Sequence, residues 1–300
     1  MSLVTDPALD DIAACALAAV RGEQLISMTG LREGGPPWLM RYGASGSTGS
    51  AVVRVATLEE AGTQKREARA MAVARAAGVP APAVIAARAD DAAALLLIEY
   101  VDGSSHQPVE PDLARLETLG RVAARISKAD PGSAELPAVR RPVPDVDFDE
   151  LRAQARPQPL LAAAQRRVAA LEPDDPVGFV HGDLWAGNTL WRGATLAAVI
   201  DWDCAGLGPA GVDIGSLRCD AAMCYGLEAA DHVLGGWQRE ARRPARSLAY
   251  WDAVAALCTP PDIDWFAGAI ADMNGRPDLT KELLRQRRDA FLADALERLR

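Results

Sequence analysis

His181-Gly182-Asp183-Leu184-Trp185-Ala186-Gly187-Asn188 is the densest run of polar residues in an apolar setting in this chain. Ile200-Asp201-Trp202-Asp203 follows, with Asp201 eighteen positions after Asp183. Transfer of a phosphoryl group to an alcohol needs a positioned hydroxyl, a destination for its proton and a divalent cation to neutralise phosphate charge. Hard cations take oxygen ligands, so Asp and Asn suit that task. A carboxylate and a carboxamide five apart on one loop, with a second carboxylate at the end of a following hairpin, supply those parts. The competing reading is a polar hairpin loop built on Asx turns. Three residues in one spacing weigh against it.

Working outward, the apolar triplet at 178–180 leads into the loop, and 189–191 with 196–200 read as a small hairpin. Upstream, short β-prone runs at 23–31, 38–42 and 51–56 are separated by Arg32-Glu33-Gly34-Gly35-Pro36-Pro37 and by a Gly/Ser turn over 43–50. Such spacing indicates an antiparallel meander. Thr57-Leu58-Glu59-Glu60 is a capping-box pattern. It opens a helix expected to run to Ala77 and to stop at Gly78, because Pro80 and Pro82 cannot continue it. Strands at 83–87 and 93–100, joined at Asp90-Asp91, complete a five-stranded sheet with one long helix after its third strand. An Ala-rich helix from Pro7 to about Val20 precedes it, with Asp6 as N-cap.

The remainder reads as mainly helical: 111–128, 160–171 and most of the chain from Val212, including 279–299. Residues 131–158, with five prolines, read as a connector with little regular structure. The polar break at Asp102-Gly103 marks the boundary between an N-terminal lobe, 1–102, and a C-terminal lobe, 103–300.

With 300 residues, 49% of them hydrophobic, the chain can bury a large core. A formal charge of −9 makes it a poor match for a nucleic-acid backbone or an anionic membrane. Five scattered cysteines and an N-terminus without a basic or apolar leader point to the reducing cytoplasm. Cys219 and Cys224 read as buried small hydrophobes. No apolar run reaches the length of a membrane span.

The Asp-x-x-x-x-Asn spacing followed by a later Asp is that of protein-kinase catalytic loops. Taken with Gly208-Pro209, Asp213, Gly78-Val79-Pro80-Ala81-Pro82 and the hinge-like Ile98-Glu99-Tyr100, it resembles the aminoglycoside phosphotransferase and choline kinase-like family. The resemblance runs from about Leu25 to Asp213. It implies an α+β, two-lobed protein-kinase-like fold, with an N-terminal nucleotide-binding lobe and a helical lobe for catalysis and substrate. It implies Asp183 as catalytic base, and Asn188 and Asp201 as ligands of Mg2+ on ATP or GTP. His181 and Asp213 resemble residues that brace the loop, and Asp203 is a metal or supporting acid. Arg54 stands in the third strand where the family usually has Lys; the two are not interchangeable, although both carry charge. Its expected partner is Glu67, for which a solvated helix position beside Lys65 and Arg66 is the competing reading. Gly34-Gly35 is the candidate phosphate-covering loop, with Gly30 and the glycines at 43–49 as rivals. Glu99 belongs to the hinge.

The implied activity moves the γ-phosphoryl group of a Mg-bound nucleoside triphosphate to the hydroxyl of an antibiotic-like or small metabolite acceptor. The alternative is a pseudokinase that binds nucleotide as a regulator, for which Arg54 is the only support. The chain lacks Asp-Phe-Gly and a recognisable Ala-Pro-Glu segment, which disfavours a protein kinase. Trp185 and Trp191 could stack on a substrate ring, but core or loop-anchoring aromatics are the preferred reading, and His106 and His232 lack an acid–base partner. Asp203, Asp220, Asp262 and Asp264 read either as cation-recognising acids or as solvated surface charges.

Overall fold

In the computed structural model the described residues are 7–32, 35–57, 59–89 and 94–299. They form two compact units. One comprises residues up to Ala72 together with Ala81–Val101, and the other Val73–Pro80 together with the chain from Asp102 onward.

The first unit is built on strands β1 (Gln24–Arg32), β2 (Gly35–Ala44), β3 (Ser47–Ala56), β4 (Val84–Ala89) and β5 (Ala94–Glu99). They make an antiparallel sheet in the order β1-β2-β3-β5-β4. The second and third strands, ten residues each, are longer than the sequence pattern suggests, whereas the first is only shifted by one residue. Residues 43–50 are not a Gly/Ser turn: Gly43 and Gly49 are paired within β2 and β3, and the reversal is confined to Ser45-Gly46. Both turn residues hold positive φ, which Gly46 adopts without cost. Alternation places Ala51, Val53, Leu95 and Leu97 on one face, where they pack with Ala16 and Ile12 of helix α1 (Pro7–Ala19). Helix α2 (Ala61–Ala76) begins later than its capping box suggests. The Thr57–Glu60 box does form, Glu60 accepting from the Thr57 backbone N–H at 3.0 Å, but it closes a turn ahead of the helix. Gly78, at φ +74°, ends the segment.

The second unit is mostly helical. Helix α3 (Leu113–Lys128) is capped by Asp112, which accepts from the N–H groups of Ala114 and Arg115. The connector expected to be irregular contains a helix, α4 (Phe148–Gln154), capped by Asp147. The proline count hid it, because the prolines flank the helix rather than interrupt it. Phe148 is its fully buried anchor. Helix α5 (Pro159–Ala169) follows, then β6 (Val177–Val180), a 3-10 turn (Ala186–Asn188), β7 (Thr189–Arg192), β8 (Thr195–Val199) and β9 (Gly206–Pro209). β6 pairs with β9, and β7 with β8. Helices α6 (Gly211–Tyr225), α7 (Leu227–Ala241), α8 (Leu248–Leu257), α9 (Asp264–Asn274) and α10 (Lys281–Arg298) complete it. Cys219 and Cys224 are buried in the core that α5, α6, α8 and α10 share. No described helix is long and apolar enough to cross a membrane.

Helices α3 and α7 meet backbone to backbone. A Cβ on Gly120 would lie 1.9 Å from the Val233 carbonyl oxygen, and one on Gly236 would lie 2.0 Å from that of Glu117. Neither carbonyl can retreat without moving a helix. Gly236→Ala is therefore expected to cost about 1–3 kcal/mol through overpacking, measured as a lower midpoint in urea. An unchanged midpoint would mean that the helices separate freely.

Candidate active site

The 181–188 loop leaves β6 and enters the 3-10 turn. Gly182 takes φ +82°, and a Cβ there would lie 2.2 Å from the Cys204 carbonyl oxygen, so this turn admits only glycine. His181 is fully buried. Its Nδ1 accepts from the Asp183 N–H at 3.2 Å, which leaves Nε2 as the donor to the Ile200 carbonyl at 3.0 Å. Burial pushes the imidazole down to about 4, so it bridges loop and hairpin as a neutral ring. Trp202 packs against it with centroids 4.5 Å apart and stacks on Phe179 at 5.9 Å.

Two acids of α6 hold the loop from beneath. Asp213 accepts from the His181 N–H at 2.8 Å and from the Gly182 N–H at 2.9 Å. Asp220, two helical turns further on, accepts from the Ala186 N–H at 3.1 Å. Both are buried. Burial raises each carboxyl to about 6, against the pull of its N–H donors. Asp220 is thus neither a surface charge nor a free cation-recognising acid. Its spacing of seven from Asp213 placed it on the same helical face, and that was the signal available in the sequence. Of the other acids with that reading, Asp264 is ion-paired with Lys281 and exposed.

Asn188 turns its amide nitrogen to Asp183, reaching the backbone oxygen at 2.8 Å and Oδ2 at 2.9 Å. The Asn188 backbone carbonyl accepts from the Ile200 N–H at 2.9 Å, joining the turn to the hairpin end. Asp201 there has φ +65°, a conformation costly for a residue with a side chain and frequent at functional sites. Asp183 is pushed up to about 7. Burial is the main cause, and the charges of Asp201, Asp203 and Asp213 add to it, against the Asn188 hydrogen bond. The structure therefore gathers Asp183, Asn188, Asp201 and Asp203, with His181 and Asp213 as their supports. The Asp183 side chain opens on a cavity of about 140 Å³ in the helical unit.

In the first unit, Arg54 of β3 pairs with Glu67 of α2 at 2.6 Å. Glu67 is 1% exposed, so it is not a solvated helix position. Glu99 closes β5, its backbone N–H donating to Ala83 O at 2.8 Å and its Oε2 accepting from Ala83 N–H at 3.1 Å. Gly34 lies outside the described residues. Gly35 opens β2 opposite Arg32, and Gly30 pairs with Trp38 inside the sheet. Trp191 is buried and its indole N–H donates to Thr189 Oγ1, consistent with a core aromatic.

A five-stranded antiparallel sheet with one long helix, and a mostly helical unit carrying this loop, define a protein-kinase-like α+β fold. Residues 40–257 match the phosphotransferase enzyme family, and the chain belongs to it. Solved structures share the fold at low identity. The macrolide 2'-phosphotransferase MphH from Brachybacterium faecium is 19% identical, with a TM-score of 0.62 over 92% of this chain and 97% of that one. A choline/ethanolamine kinase family protein from Mesorhizobium loti is 19% identical, with a TM-score of 0.55 over 98% and 95%. A thermostable mutant of aminoglycoside phosphotransferase APH(4)-Ia, in ternary complex with ADP and hygromycin B, is 17% identical, with a TM-score of 0.57 over 94% and 98%. No curated protein matches the sequence.

Asp213→Asn retains one acceptor oxygen and strands one of two buried N–H groups. The expected cost is about 1–3 kcal/mol, read from chemical denaturation. Stability equal to the parent would mean that the loop does not depend on this acid.

Proposed function

We propose that the chain transfers the γ-phosphoryl group of Mg-bound ATP or GTP to the hydroxyl of a small molecule, in the cytoplasm, where all five cysteines stay free as they are here. The observation that carries this reading is the Asp183–Asn188 contact beside Asp201. Asp183 accepts the acceptor's O–H proton while the oxygen forms its bond to the γ-phosphorus. The bond from that phosphorus to the bridging oxygen breaks, and its electron pair leaves with the nucleoside diphosphate. Asn188 and Asp201 are the metal ligands, with Asp203 beside them. Committing the Asn188 nitrogen to Asp183 leaves its carbonyl oxygen for the metal, so the donor set is all oxygen and hard. Among the described residues no group of three or more His, Cys, Asp or Glu is arranged to hold a metal alone. One carboxamide and one carboxylate are completed by nucleotide oxygens, which is how Mg2+ is usually bound. Bound there, the ion neutralises phosphate charge.

Arg54, oriented by Glu67, serves the phosphates, with Gly34-Gly35 as covering loop and Glu99 in the hinge. An always-charged fork satisfies that role without the family's usual Lys. The formed ion pair supports an active enzyme over a pseudokinase, because it keeps the cation oriented.

Thermal-shift titration with ATP and GTP, with and without Mg2+, tests the nucleotide half. A Mg-dependent rise in Tm with one of them is expected, and no shift with either at millimolar concentration would refute it. Asp183→Ala should lower turnover at least 10²–10⁴-fold with the nucleotide shift retained, whereas Asp201→Ala should abolish the Mg dependence of that shift. Arg54→Lys should keep part of the activity, since charge at the phosphates is its main contribution. Complete loss would assign the role to the two-pronged grip instead.

A further inference from the structure

We infer that the acceptor is a compact, uncharged, largely apolar alcohol whose carbon skeleton is about the size of a six-membered ring, not a polyamino sugar. This rests on the phosphotransferase reading of Asp183. The cavity on which Asp183 opens lies within the helical unit, with Phe148 of α4, Met223 of α6, Ala255 of α8 and Trp185, Trp265 and Phe266 around it. Its volume of about 140 Å³ is close to that of an apolar cavity of about 150 Å³ that holds benzene.

The aromatic residues form a connected wall. The Trp185 and Phe266 rings are 5.8 Å apart, and Trp265 meets Phe266 edge-on at 6.4 Å. The Trp185 ring lies against the Gly187 backbone, where a Cβ would be 2.3 Å from it. That contact fixes the ring relative to Asp183. Trp265 is 53% exposed and lines the cavity, so part of its ring is open to an occupant. Among the described residues two acids line this cavity, Asp183 and Asp220. Asp183 is reserved for the hydroxyl proton, and Asp220 is already engaged by the Ala186 N–H and touches the Cys224 thiol. A polyammonium acceptor would bury positive charges without partners, which is strongly unfavourable. An apolar ring instead exchanges water for aromatic contact and turns its hydroxyl to Asp183.

The test uses the full chain in two arms. Without nucleotide, saturation-transfer NMR with cyclohexylmethanol should show binding to the parent protein, and Ala269→Phe, which narrows the cavity from the partly exposed face of α9, should weaken it at least tenfold. With Mg-ATP, cyclohexylmethanol or benzyl alcohol should raise ADP release at least tenfold over the rate without acceptor, and hygromycin B should not. Binding that survives Ala269→Phe, or ADP release driven by hygromycin B with the alcohols inert, overturns the inference. Alcohols that are inert while the Mg-dependent nucleotide shift is intact also overturn it and leave the phosphotransferase reading standing. Loss of that shift in the parent protein removes the phosphotransferase reading instead, a failure distinguishable because the NMR arm needs no nucleotide.

Discussion

Three backbone N–H groups of the 181–188 loop end on two carboxylates of one helix, and the rest of the site depends on that arrangement. Asp213 receives two of them and Asp220 the third. A loop carrying a half-buried acid and a buried amide cannot leave its backbone donors unpaired, because each orphan costs about 1–3 kcal/mol. The helix supplies acceptors at both ends of the loop, two turns apart. Geometry set by α6 thereby fixes where Asp183 and Asn188 point. Gly182 makes the tight approach to Cys204 possible, and neutral His181 ties the loop to the hairpin that carries Asp201.

The same arrangement concentrates negative charge. Asp183, Asp201, Asp203 and Asp213 are near enough that burial and mutual repulsion lift Asp183 to about 7. Such crowding opposes stability and is characteristic of sites built for function. The left-handed backbone of Asp201 belongs to the same pattern. By contrast the Arg54–Glu67 pair of the first unit is locally balanced, a buried acid matched by a cation that remains partly exposed.

Much of this was legible in the chain because it is encoded by short-range pattern. The β-prone runs around Val53 and Leu97, the stop at Gly78-Val79-Pro80 and the Asp-x-x-x-x-Asn loop are local signals, and the structure has the expected elements at those places. The misreadings came from competition between local signals. Glycines over 43–50 favour a turn, but pairing among β1, β2 and β3 outweighs their weak strand preference. Prolines around α4 suggested an irregular connector, whereas Asp147 caps a helix anchored by Phe148.

Sequence alone determined the residue types that chemistry requires and their spacing within single elements: Asp183 with Asn188, and Asp201 after the hairpin. The tertiary structure decided everything that depends on several elements meeting. It turned Asp220 from a surface charge into a buried loop support, and it buried Glu67 against Arg54. It also assembled the aromatic cavity beside Asp183 from four helices and a loop. The physical reason is range. Hydrogen-bonded turns and alternation act over a few residues and leave a periodic trace, while a cavity wall is set by helix packing among residues more than a hundred positions apart, which no local pattern records.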